Sequence, residues 1–174
     1  LGREVLRLPF IRATSLGHEV LHNWLGNGVI PEWSTGNWSE GLTAFMADYA
    51  YQEDKSEEAA REARLGWLRN LAAVPEAEDT PLAAFTARRH GISSIVGYDK
   101  AAMVFFMLRD EIGAATFEQG LRLFWQRHRF QRAGWALRWM PASSSLTMPA
   151  TRPYTPMVIS SEMPTSTATW RPKP

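Results

Sequence analysis

The chain has 174 residues, 45% of them hydrophobic, with eight Trp and eight Phe, which suits one domain or a piece of a larger one with a real core. A formal net charge of +1 gives the whole chain no electrostatic bias toward nucleic acid or membrane surfaces. The absence of Cys excludes disulfides and thiolate metal sites, so any metal must be held by His and carboxylates.

The N-terminal stretch LGREVLRLPFIRATS is charged and has no signal-peptide core. It runs directly into a motif, so the chain reads as one that begins in mid-domain; a signal peptide upstream would be invisible. Thr14 or Ser15 is the expected N-cap of a first helix through HEVLHNWLG, which Gly26-Asn27-Gly28 stops. Residues 29–38, with Pro31 and Gly36, read as a connecting loop. Ser39 is then expected to cap a second helix, SEGLTAFMADYAYQE, whose Leu42, Phe45, Met46 and Tyr49 form one apolar face. A third helix over about 56–73 opens on Ser-Glu-Glu, acids well placed for the helix dipole, and Pro75 closes it.

An acidic loop follows at 75–81, then a short helix from Leu82 to Arg89 and a loop from His90 to Gly97. Tyr98 to Ile112 reads as an apolar helix ended by Gly113, and Thr116 as the cap of another, TFEQGLRLFWQRH. His90 and His128 have no partner at ligand spacing and are expected to be solvated. Arg122, Arg127, Arg129 and Arg132 read as a solvated basic face near a helix C-terminus, and the Trp, Phe and Met residues at helical spacing as core. No stretch is apolar for long enough to span a bilayer.

The expected organisation is therefore a mainly α domain over 1–140 and a tail over 141–174. The tail holds seven of the eleven Pro with many Ser and Thr, has no helical or strand period, and cannot bury enough surface to offset chain entropy, so it is expected to be disordered. After Glu118 the only acid is Glu162, and this abrupt change also suits translation in a shifted reading frame; the other two frames of the coding DNA test that.

The chemistry is concentrated in His18-Glu19-Val20-Leu21-His22. On a helix, residues four apart stand one above the other, so two imidazoles at this spacing can reach one Zn²⁺ at about 2.0–2.1 Å each. Glu19, one step round, is placed to act on water as a general base instead of binding the metal, the roles that HExxH assigns. Zinc needs a third protein ligand, and Glu40, at the start of the second helix, is the candidate; the seventeen residues between it and His22 allow that helix to fold back beside the first. A bare HExxH also arises by chance as two exposed histidines; the Glu-Gly opening of a second helix favours the metal. Asp48 has two readings, a partner for a ligand imidazole or a solvated helix acid, and the solvated one is preferred. Asn23 and Asn27 read as helix-end and loop fasteners.

With these blocks in place, HEVLHNWLGN followed by GNWSEGLTAF resembles the aminopeptidase N-like family of zinc metallopeptidases (gluzincins), in a bacterial branch. In that family an aromatic residue and Gly-Asn follow the HExxH helix, here Trp24 and Gly26-Asn27, and an Asn-Glu-Gly-like turn gives the third ligand, here Trp38-Ser39-Glu40-Gly41. A Tyr-x-Lys-Gly segment follows, here Tyr98-Asp99-Lys100-Ala101 with Ala for the usual Gly. The match covers about 10–135, with the loop between the first two blocks one residue shorter than in most members, and the family's Gly-x-Met-Glu-Asn motif does not occur.

The resemblance implies the helical half of a thermolysin-like catalytic domain, one zinc ion on His18, His22 and Glu40, Glu19 as general base, and Tyr98 as hydroxyl donor to the reacting carbonyl oxygen. It implies a peptide substrate and removal of N-terminal residues. No nucleic acid and no membrane segment are expected, while compartment (cytoplasmic or exported in bacteria) and oligomeric state stay open. Two other readings remain: a truncated, catalytically silent zinc-binding fragment, and a helical interaction module with a chance HExxH.

Overall fold

The computed structural model describes residues 15–87 and 91–135, together with Gly2, Glu4, Arg7, Leu8 and Ile11. The expected tail at 141–174, its reading as a shifted frame, the cap at Thr14 and the solvated His90 all lie outside these residues. The described part is mainly helical. It comprises α1 (Ser15–Leu21), a two-residue strand β1 (Ile30–Pro31), helix α2 over 38–55, α3 (Glu57–Ala72), helix α4 over 92–112, α5 (Ala114–His128) and a second short strand β2 (Arg132–Ala133). Among the described residues no helix is long and apolar enough to cross a membrane.

Two of these helices are composite. α2 runs as Trp38–Thr43 in α geometry, Ala44–Tyr49 as a π turn and Ala50–Lys55 in α geometry again. α4 is built the same way, from Ile92–Ser94, a π turn at Ile95–Lys100, and Ala101–Ile112. π turns hold one more residue per turn than the α-helix and are uncommon, and apolar periodicity reads straight through them.

Capping follows side-chain chemistry, with corrections to the expected positions. Asn37, not Ser39, caps α2: its side-chain oxygen accepts from the Ser39 N–H at 3.0 Å and from the Ser39 hydroxyl at 2.7 Å. Ser56 caps α3, accepting from the Ala59 N–H at 3.1 Å, as its Ser-Glu-Glu start leads one to expect. α5 begins at Ala114, directly after Gly113 (φ 82°), so Thr116 lies inside the helix.

The expected helix from Leu82 shrinks to one 3-10 turn, Leu82–Ala84; Arg89 is outside the described residues. The expected loop up to Gly97 is largely helical, because α4 starts at Ile92. Gly97 is tolerated there because its missing side chain makes room for a neighbour: a Cβ on it would overlap the Phe85 ring.

Residues 29–38 are more ordered than a plain loop. β1 pairs in parallel with β2, Ile30 opposite Arg132 and Pro31 opposite Ala133. Pro31 fits because the ladder uses the N–H groups on either side of it, Ile30 to Gln131 O at 2.9 Å and Glu32 to Ala133 O at 2.8 Å. The Trp38 indole N–H donates to Ala133 O at 2.6 Å, so the start of α2 is tied to the far end of the described chain.

The core lies between α2, α4 and α5. Leu42, Phe45 and Tyr49 of α2 meet Phe105 of α4 and Phe117 and Phe124 of α5, with Trp38 edge-on to Phe124 at 5.2 Å. Burying aromatic and aliphatic side chains of this size contributes about 1.5–3 kcal/mol each. Arg109 of α4 caps this layer: it pairs with Glu53 of α2 and lies 4.8 Å from the Phe45 ring centre. Not every large side chain is core, however: Trp24 is 49% exposed, and Trp33, Met107 and Phe130 are exposed as well.

Candidate metal centre

α1 supplies the histidines and α2 the carboxylate. His18 is buried at 8% exposure; His22 sits one residue past α1 in a turn that keeps helical direction, its N–H donating to His18 O at 3.2 Å. The turn continues with Leu25 N–H to Leu21 O at 3.0 Å, and the Asn23 amide fastens to Val20 O at 2.8 Å, the helix-end role expected of it. Glu40 lies in the first turn of α2, next to Gly41. A Cβ on Gly41 would overlap the Ala101 Cβ, so this Gly is what lets α4 approach the Glu40 turn so closely.

The three expected ligands converge. Glu40 Oε2 lies 3.4 Å from His18 Nε2 and 3.4 Å from His22 Nε2, and one ligand atom from each of the three residues falls within 4.8 Å of the others. Two atoms bound to one tetrahedral zinc at about 2.0–2.1 Å are separated by about 3.3–3.4 Å. The donor set, two imidazoles and one carboxylate, therefore fits a zinc ion in chemistry, and the two separations from Glu40 match that spacing.

Both outer ring nitrogens are engaged. His22 Nδ1 is 2.8 Å from Leu25 O, which can only accept, so Nδ1 donates there and Nε2 is the nitrogen that faces Glu40. His18 Nδ1 is 2.8 Å from Asp48 Oδ2. Asp48 is thus a partner of the His18 imidazole and not merely the solvated acid preferred from sequence, although its side chain remains 46% exposed. Such outer hydrogen bonds fix tautomer and ring orientation in metal sites. Leu25 O carries no sequence signal at all, since a main-chain carbonyl is common to every residue.

The electrostatics are those of a cation receptor. Burial disfavours the charged His18 ring, but the Asp48 and Glu40 carboxylates outweigh it and raise its pKa to about 9. Glu40 raises the His22 pKa against burial. Burial pushes the Glu40 carboxyl upward, yet hydrogen bonds from His18, His22 and Tyr98 outweigh it and hold the group well below the usual carboxylate range.

Tyr98 and Glu19 share this space. Ser15, His18, Glu19, His22, Glu40, Asp48 and Tyr98 line one cavity of about 350 Å³. The Tyr98 hydroxyl donates to the Glu40 carboxylate, and its ring lies nearly parallel to that of His18 with centres 6.0 Å apart. Tyr98 sits inside the π turn of α4 and not at the helix start expected for it. His128, expected to be solvated, is half-buried with its ring 5.2 Å from Phe124. Arg122 is exposed and paired with Glu118.

Known proteins carry the same blocks. Residues 12–137 match the peptidase family M1 domain. The chain is 30% identical over 120 residues to aminopeptidase N of Escherichia coli (65% of this chain, 13% of that protein). It is 32% identical over 120 residues to aminopeptidase N of Caulobacter vibrioides (65% and 14%), and 23% identical over 145 residues to human glutamyl aminopeptidase (79% and 15%). The chain thus spans only about 13–15% of the length of these curated relatives. No solved structure matches it significantly. Because the family match runs through α1, α2, α4 and α5 alike, well beyond the HExxH segment, this chain belongs to peptidase family M1.

Proposed function

We propose that this chain carries the metal-binding part of the active site of a zinc aminopeptidase, with His18, His22 and Glu40 as ligands, Glu19 as general base and Tyr98 as oxyanion donor. The observation that supports it best is the meeting of two imidazole Nε2 atoms and the Glu40 carboxylate at 3.4 Å separations, in a cavity that Glu19 and Tyr98 also line. A bound zinc supplies the Lewis acidity that polarises a scissile carbonyl and makes water acidic near neutral pH.

The protein side chains do the rest. Glu19 accepts a proton from the attacking water and passes it to the leaving amine, so one carboxylate serves both halves of the reaction. The Tyr98 hydroxyl turns from Glu40 to the carbonyl oxygen as negative charge grows there. Asp48 and Leu25 O hold the two rings so that Nε2 stays directed inward. Action on N-terminal residues is inferred from the relatives, which are named aminopeptidases.

The alternative reading is a zinc-binding chain without turnover of its own. Zinc titration of the protein with an alanine- or leucine-linked chromogenic amide separates the two. The aminopeptidase reading expects one zinc per chain and hydrolysis that a chelator abolishes and added zinc restores. Stoichiometric zinc without hydrolysis supports the alternative reading, and no zinc binding contradicts both.

A further inference from the structure

The two π turns each carry a residue of the cavity, Asp48 in Ala44–Tyr49 and Tyr98 in Ile95–Lys100. For Asp48 the geometry can be worked through. An α-helix advances about 100° per residue, so a position eight residues after Glu40 lies about 80° away from the Glu40 direction, while one seven residues after lies within about 20° of it. In uninterrupted α geometry the residue facing the site would therefore be Ala47, and Asp48, with its short side chain, would point aside.

The observed arrangement is the reverse. Asp48 Oδ2 reaches His18 Nδ1 at 2.8 Å, while Glu40 meets the other nitrogen of the same ring. Ala47 is buried at 8% exposure. A π turn accommodates one extra residue and sets back everything after it by that residue's rotation. The insertion thus returns Asp48 to the Glu40 face.

We propose that the π turn Ala44–Tyr49 is a one-residue register insertion that makes Asp48 a positioning residue for His18. The proposal rests on the reading of His18, His22 and Glu40 as zinc ligands. Its purpose follows from the contact between His18 Nε2 and Glu40 Oε2 at 3.4 Å. If the ring carried its hydrogen on Nε2, that nitrogen would donate to Glu40 and offer no lone pair to a metal. Asp48 accepts from Nδ1, which keeps a hydrogen on the outer nitrogen, so that Nε2 is the one freed for a metal.

Zinc affinity of the metal-free protein, read by competition with a chelating indicator while circular dichroism monitors helicity, tests this with three variants. D48A lowers affinity about 10–100-fold with helicity kept, the range for loss of an outer-shell partner. The swap A47D/D48A, which places the acid at the spacing suited to a plain α-helix, stays as weak as D48A. Deletion of Ala47, which leaves seven residues' spacing in a continuous α-helix, keeps the parent affinity.

The proposal is overturned if D48A binds like the parent, if the swap restores affinity, or if the deletion binds as weakly as D48A. A deletion that destroys the fold also overturns it, because a residue absorbed within one turn must be dispensable. Should the swapped variant itself lose helicity, the other two variants decide. Failure of the parent protein to bind zinc is a separate outcome, which removes the ligand reading instead.

Discussion

Glu19→Gln lowers kcat for peptide hydrolysis by about 10²–10⁴-fold, the usual contribution of a positioned general base, and leaves zinc bound. The substitution keeps the shape of the side chain and its place in the cavity wall but removes its ability to take a proton. Glu19 lies outside the His18–His22–Glu40 cluster, so the ligand geometry has no reason to change. Steady-state kinetics combined with metal analysis checks both halves of the expectation. A near-parental rate would remove Glu19 from the mechanism, and loss of zinc would move it into the coordination sphere.

Tyr98→Phe is expected to lower kcat by about 10²–10³-fold, the effect of deleting one oxyanion donor. The ring is held independently of the hydroxyl, by near-parallel packing on His18 and an edge contact to Phe85 at 6.2 Å, so Phe should occupy the same place. The lost group is one hydrogen-bond donor, which in the resting site points to Glu40. Because the donor acts on charge that grows only in the transition state, the loss should appear in kcat more than in KM. Kinetics with zinc content held at one per chain is the check; an unchanged kcat would leave Tyr98 as a packing residue.

How much of this could be read from the sequence depended on whether the signal was local. His18, Glu19 and His22 share one helix, and the i, i+4 rule places the imidazoles without further knowledge. Glu40 was legible because a short connection and a Glu-Gly helix start leave few places for the second helix to go. The apolar face of α2 was legible as well, and Leu42, Phe45 and Tyr49 are indeed core.

What escaped was tertiary or depended on backbone register. Asp48 looked like a solvated acid because helical periodicity assumes 3.6 residues per turn throughout, and the π turn breaks that assumption at the position that matters. The start of α4 was placed six residues late because Gly91 and Gly97 look like breakers. Only the approach of Phe85, a residue from another segment, explains why Gly97 suits a helix. Pairing of β1 with β2 joins residues about a hundred positions apart, and Pro31 argued against any strand there. The Leu25 carbonyl that orients His22 could not be read from residue type in any case.

X-ray absorption at the zinc edge, recorded on the zinc-loaded protein and on Glu40→Gln, bears most directly on the central claim. The expected spectrum of the parent has two imidazole nitrogens and one carboxylate oxygen at about 2.0–2.2 Å, with the carboxylate contribution lost in the variant. A parent spectrum without both imidazoles, or one that Glu40→Gln leaves unchanged, would contradict the assignment of this cluster as the metal site.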